Sequence, residues 1–239
     1  MIAGVQKCGT SSLAFRLAQH PEVRMSKPKE LHWFTKANIE QSENGYRAYH
    51  EHGWQTLDLE DTLIYGEATP RYVLHDPTGR PVFLERVARY NPSVKLIILF
   101  RDPVDRAYSQ WNMLAQRGKT PPPFEEIVQS ALRDRKHSYA DLLQRGEYGQ
   151  IARNVLSLFP AENCCFVRMD EIDLNEDEIF QFLGITPVPL LHYRFNVGTY
   201  VTSLSDDLRA TLRTHFFEEV QLFGQLTTLD VSDWCDLAG

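Results

Sequence analysis

The opening residues constrain this chain most. Met1-Ile2-Ala3-Gly4-Val5 is a short apolar run that reads as a strand. It passes into Gln6-Lys7-Cys8-Gly9-Thr10-Ser11-Ser12 and then into a helical pattern from Leu13 to Gln19. A strand, a glycine turn bearing a lysine, and hydroxyl residues opening a helix form a cradle for an anion. The N–H groups of the turn and the positive end of the helix dipole converge on one point.

The position of the lysine narrows the chemistry. The loop of nucleoside triphosphatases runs G-x-x-x-x-G-K-[ST]. Gly4 and Gly9 have that spacing and Thr10-Ser11 follow, but the lysine is Lys7, inside the loop. The best second strand, Val94 to Phe100, ends in Arg101, where an aspartate would help hold magnesium. Two strand ends therefore favour anions, and no metal is expected. In the stretch from Arg101 to Ser109, a guanidinium fork at the strand end and a hydroxyl from the next helix can grip one phosphate from two sides.

The remaining punctuation fits one α/β domain spanning residues 1–239, with a central, mainly parallel sheet flanked by helices. Strands are expected at Leu63–Glu67 and Cys164–Met169. Helices are expected at Asn44–Trp54, Pro81–Tyr90, Asp105–Leu114, Glu125–Arg133, Gln150–Leu158 and Glu176–Leu183, and from Ser205 onward. The stretch from Arg117 to Phe124, with Pro121-Pro122-Pro123, cannot be regular helix and is a candidate mobile loop or lid. In such sheets ligands sit at the carboxyl ends of the strands, which places Lys7, Glu67 to Thr69 and Arg101 on one rim.

Composition removes several classes. A net charge of −7 argues against general nucleic-acid affinity. No apolar run reaches membrane-spanning length, and the start lacks the layout of a signal peptide. A cytoplasmic, bacterial protein is the expectation, although a trimmed targeting segment is compatible with so abrupt a first strand. Four cysteines without a CxxC pair suit free thiols better than disulfides or zinc. Cys8 reads as a small residue beside a phosphate, or as a reactive thiol.

Taken together, these motifs resemble the sulfotransferases that use 3′-phosphoadenosine 5′-phosphosulfate (PAPS). Gln6 to Leu13 resembles their 5′-phosphosulfate loop, and Arg101 to Ser109 their 3′-phosphate motif. Gly146-Glu147-Tyr148 and Asn196-Val197-Gly198-Thr199-Tyr200 are similar to two later family segments, and Leu204 through Trp234 is similar to the C-terminal helix and closing tryptophan. The flavour is that of the heparan sulfate and bacterial carbohydrate branch. The resemblance implies PAPS as donor and no metal. It implies that Lys7, Cys8, Gly9, Thr10, Ser11, Ser12, Arg101, Ser109, Tyr148, Gly198, Thr199 and Tyr200 bind the donor. It also implies Glu30 as general base, Lys7 at the leaving phosphate, and His32 beside the base. His32 would share a side with Glu30 in an extended segment. Without the resemblance, Glu30 reads as a solvated acid neutralised by Lys27 or Lys29, and His32 as a structural histidine. The expected acceptor is a carbohydrate, a glycolipid or a small hydroxylated metabolite, taken through a hydroxyl more readily than an amine. Ala68 stands where heparan sulfate enzymes usually carry a lysine, which weighs against a glycosaminoglycan. Two other readings share the cradle: a P-loop small-molecule kinase and a non-catalytic nucleotide-binding protein. The sequence does not fix the oligomeric state.

Overall fold

The computed structural model describes residues 1–36, 45–55, 63–116, 120–193 and 204–236, the side chain of Tyr46 apart. Strands and helices alternate from the start: β1 (Ile2–Gly4), α1 (Thr10–Leu17), β2 (Val23–Met25), α2 (Gly45–Trp54), β3 (Ile64–Gly66), α3 (Val82–Tyr90) and β4 (Leu96–Phe100). There follow α4 (Pro103–Gln116), α5 (Phe124–Arg133), α6 (Asp141–Gln144), α7 (Tyr148–Leu158), β5 (Cys164–Arg168), α8 (Glu176–Leu183) and α9 (Asp206–Thr227). Among the described residues no helix is long and apolar enough to cross a membrane.

Among the described residues every strand pairing is parallel. β1, β4 and β5 form one sheet and β2 and β3 another, and an isolated parallel bridge from Ile2 to Ala68 joins them. The spatial order is therefore β2-β3-β1-β4-β5, reversing at β1. β4 is apolar and buried at every position, as a central strand covered on both faces should be. One cover is aromatic: Phe100 packs on Tyr148 of α7 and Phe223 of α9, with ring centroids 4.9 and 4.4 Å away. α7 and α9 lie close together at Gly149, where a Cβ would come within 2.8 Å of the Glu219 carbonyl.

The helix starts differ from the sequence expectations for local reasons. α4 begins at Pro103 rather than Asp105. Asp102 Oδ1 accepts from the N–H groups of Val104 and Asp105 at 2.8 and 2.9 Å, and proline tolerates the first helical position. The short α6 has no room for a periodic pattern. In the proline-rich stretch, Arg117 to Lys119 lie outside the described residues. Pro122 is tied to α4, its carbonyl accepting from Trp111 Nε1 at 2.9 Å.

Candidate active site

The strand order reverses at β1, and in sheets of this kind ligands sit outside the carboxyl ends of the strands at such a reversal. The turn leaving β1 and the residues leaving β4 meet at this rim, where the Val5 N–H donates to the Leu99 carbonyl at 2.9 Å. The turn reverses through two left-handed residues, Lys7 (φ 73°) and Gly9 (φ 82°). Gly9 precedes α1, whose start has no side-chain cap. First-turn N–H groups without a side-chain cap are what a helix start offers an anion. Lys7, Gly9 and Ser11 are half-buried in this turn, whereas Thr10 and Ser12 are buried.

Cys8 and Tyr148 lie behind the cradle rather than in it. The Cys8 N–H donates to the Val5 carbonyl at 3.2 Å, and its thiol is fully buried, 4.0 Å from the Tyr148 hydroxyl. Burial pushes the thiol up to about 11, so it is not the reactive group that its loop position allowed. Tyr148 is fully buried as well, and its hydroxyl donates to the backbone carbonyl of Arg101 at 2.8 Å. Tyr148 thus ties the end of β4 to the turn after β1 from the core side. Trp234 backs it, with ring centroids 6.0 Å apart.

Arg101 lies partly open at the rim. Its guanidinium approaches Asp105 Oδ2 at 3.4 Å, while Arg209 from α9 holds Asp105 Oδ1 at 3.1 Å. One carboxylate is thus shared by two guanidinium groups. Ser109 is half-buried farther along α4. Arg106, in the same motif, is fully buried and structural: it donates to Gln110 Oε1 and the Leu142 carbonyl.

The structure brings Glu30 and His32 together, His32 Nε2 lying 3.2 Å from Glu30 Oε2. Their closeness does not come from an extended segment. His32 has a left-handed backbone (φ 51°) and leads a single 3-10 turn, Trp33–Thr35. Lys29 Nζ sits 2.9 Å from Glu30 Oε1 and donates to Ser11 Oγ at 3.0 Å. The acid is therefore tethered to the turn after β1 through one lysine, a link that the sequence offered only as possible neutralisation.

A second carboxylate supports this corner. Glu67 is buried and accepts from the hydroxyls of Tyr49 (2.8 Å), Tyr72 (3.0 Å) and Thr69 (2.6 Å). Burial raises its pKa, and the three hydroxyls oppose that rise. Thr69 Oγ1 also accepts from the His32 N–H at 3.3 Å, so the network reaches the turn that carries His32. Phe34 is core, and Trp33 is a half-buried wall beside Tyr49 and His52.

Another ionic group lies at α7. Arg135 grips both oxygens of Glu147 at 2.7 and 2.9 Å, and His75 Nε2 lies 3.2 Å from Oε2. No spacing in the sequence pointed to His75. Gly198, Thr199 and Tyr200, expected around the nucleotide, lie outside the described residues.

A sequence profile described as the sulfotransferase domain matches residues 1–196. The chain belongs to the sulfotransferase family. Among curated sulfotransferases, rat (Rattus norvegicus) carbohydrate sulfotransferase 15 is 28% identical over 244 aligned residues, covering 78% of this chain and 44% of that protein. Human (Homo sapiens) heparan sulfate glucosamine 3-O-sulfotransferase 3B1 is 29% identical over 205, covering 82% and 48%. The chain thus spans less than half the length of these relatives. The crystal structure of a sulfotransferase from Alicyclobacillus acidocaldarius shares the fold, with a TM-score of 0.76 at 23% identity, over 98% of this chain and 97% of that one.

Proposed function

We propose that this sulfotransferase-family chain moves a sulfuryl group from PAPS to an acceptor hydroxyl by in-line displacement. The observation that carries this reading is the link between two anion-binding strand ends and one carboxylate. The turn after β1 and Arg101 after β4 share a rim, and Glu30 is joined to that turn through Lys29 and Ser11. The turn and Lys7 hold the 5′-phosphosulfate, while Arg101 and Ser109 hold the 3′-phosphate. The acceptor oxygen attacks sulfur and its proton passes to the Glu30 carboxylate. The bond from sulfur to the 5′-phosphate oxygen breaks with its electron pair on that oxygen, and adenosine 3′,5′-bisphosphate (PAP) leaves. Lys7 and the N–H groups of the loop stabilise the charge that develops there. His32 holds Glu30 toward the acceptor.

The acceptor class follows from charge. The net charge of −7 and the alanine at position 68 favour a neutral carbohydrate, a glycolipid or a small hydroxylated metabolite over a polyanion. Its similarity to a carbohydrate sulfotransferase and a heparan sulfate sulfotransferase favours the carbohydrate.

Calorimetric titration with PAP against ATP plus magnesium tests the donor. Binding of PAP alone is expected, and magnesium-dependent binding of ATP alone would replace this reading with a kinase. Labelled PAPS over a panel of neutral and acidic oligosaccharides tests transfer. Glu30→Gln should abolish turnover while PAP still binds, and a near-normal rate in that variant would remove Glu30 as base.

A further inference from the structure

We infer that Lys29 contacts the sulfuryl group itself, leaving Glu30 for the sulfuryl oxygens when the donor binds. This rests on the reading above, in which the loop holds the phosphosulfate and Glu30 activates the acceptor.

Displacement in line requires the sulfur to lie between the leaving oxygen and the nucleophile. The leaving oxygen belongs to the loop and the nucleophile to Glu30. The ammonium of Lys29 stands between those two, 3.0 Å from Ser11 Oγ and 2.9 Å from Glu30 Oε1. A cation there faces the oxygens that the sulfuryl group carries through the transfer.

The backbone is fixed while the side chain can swing. The Lys29 carbonyl accepts from the Ala68 N–H at 3.0 Å and from Ser26 Oγ at 3.2 Å, which locks the residue beside the end of β3. Its side chain remains 31% exposed. An ammonium on a flexible stem has three donors and no fixed plane, so it can exchange a carboxylate for a sulfonate oxygen without moving the chain. When Lys29 leaves, His32 still holds the other oxygen of Glu30 at 3.2 Å, and the acid keeps its orientation. Glu30 and the sulfuryl group therefore compete for one cation.

The competition gives opposite signs in neighbouring residues. PAPS carries the sulfuryl group and PAP does not, so the ratio of the two affinities reports this contact without an acceptor. Calorimetry on the full chain with each nucleotide is the test. Lys29→Met should weaken PAPS about tenfold, the lower end for a charged hydrogen bond at a part-exposed site. PAP should stay within about twofold, because it carries no sulfuryl group for Lys29 to touch. Lys29→Arg should recover part of the loss, and Glu30→Gln should tighten PAPS.

Equal weakening of PAPS and PAP in Lys29→Met would overturn the inference and make Lys29 a support for Ser11. An unchanged affinity for PAPS in that variant would overturn it too. Arg101→Ala separates this failure from that of the underlying reading. If Arg101→Ala fails to weaken PAP more than adenosine 5′-phosphate, the donor site itself is misplaced and the inference falls with it.

Discussion

Tyr148→Phe separates two roles for a residue that the sequence placed on the nucleotide. The substitution removes one oxygen and keeps the ring, so the packing on Phe100 (4.9 Å), Phe223 (5.7 Å) and Trp234 (6.0 Å) survives. What is lost is the 2.8 Å hydrogen bond to the Arg101 carbonyl. A neutral hydrogen bond contributes about 1 kcal/mol net, and an acceptor left unpaired costs up to about 3 kcal/mol when water cannot reach it. Arg101 is only partly buried, so a loss of about 1–2 kcal/mol is expected. At roughly 2–4 °C per kcal/mol for a chain of this size, Tm should fall by about 2–8 °C. PAP affinity should change by no more than about threefold, because the hydroxyl faces the core. Scanning calorimetry and PAP titration on the same sample read both quantities. An unchanged Tm with a loss of PAP affinity of about tenfold or more would refute the placement and return Tyr148 to the ligand.

Three further outcomes follow from the geometry. Gly9→Ala should cost about 1–2 kcal/mol in thermal denaturation and weaken PAP, because a side chain at φ 82° is strained and its Cβ would lie 3.0 Å from Met169 Cγ. An unchanged Tm would deny that strain. Cys8 in the native chain should resist iodoacetamide at pH 8, since a thiol near 11 is about one part in a thousand ionised there and is buried besides. Peptide mass spectrometry showing Cys8 labelled as fast as in urea would contradict its burial. The third outcome concerns His75. Burial works against its charged form, but hydrogen bonds to Glu147 and the Asp76 carbonyl outweigh it and raise the pKa. Its contribution to stability is thus full below about pH 6.5 and fades as pH rises through the native value. Tm should fall across that window, and His75→Gln should flatten the fall. An identical slope in the variant would exclude His75 as its source.

Much of the frame was legible because the chain punctuates it. β4 is an unbroken apolar run, Gly184 follows α8, and Ser205 caps α9 by accepting from the Leu208 N–H at 3.4 Å. The two strand ends proposed to bind anions stand out for the same reason, since each combines a strand, a turn and a charged residue in consecutive positions. The directions of side chains were not. Nothing in Gly146-Glu147-Tyr148 reveals that the ring enters the core while its hydroxyl reaches back to Arg101. The nearness of His32 to Glu30 was expected from an alternating strand, but it arises from a left-handed turn that only the Thr69 and Glu67 contacts make intelligible. Adjacent residues of a regular strand point to opposite faces, so Lys29 and Glu30 were not an obvious pair. Asp105 and Arg209 are distant in sequence, and no local pattern links them.

The two sides of the rim are built by different physics, and this bears on which can adapt. The β4 side is fastened from within: Cys8, Tyr148, Phe100 and Phe223 are fully buried, and the Tyr148 hydroxyl clamps the end of β4. A change there disturbs the core as well as the ligand site. The Glu30 side is a chain of polar contacts from Glu67 through Thr69 to the His32 turn, ending in part-exposed side chains, with Glu30 38% and His32 48% open. Part-exposed charges can be exchanged at a cost of about 1 kcal/mol or less. On the function proposed above, a change of acceptor with the donor kept is expected to alter this side, with Glu67 holding the backbone of that surface in place while the residues it presents change.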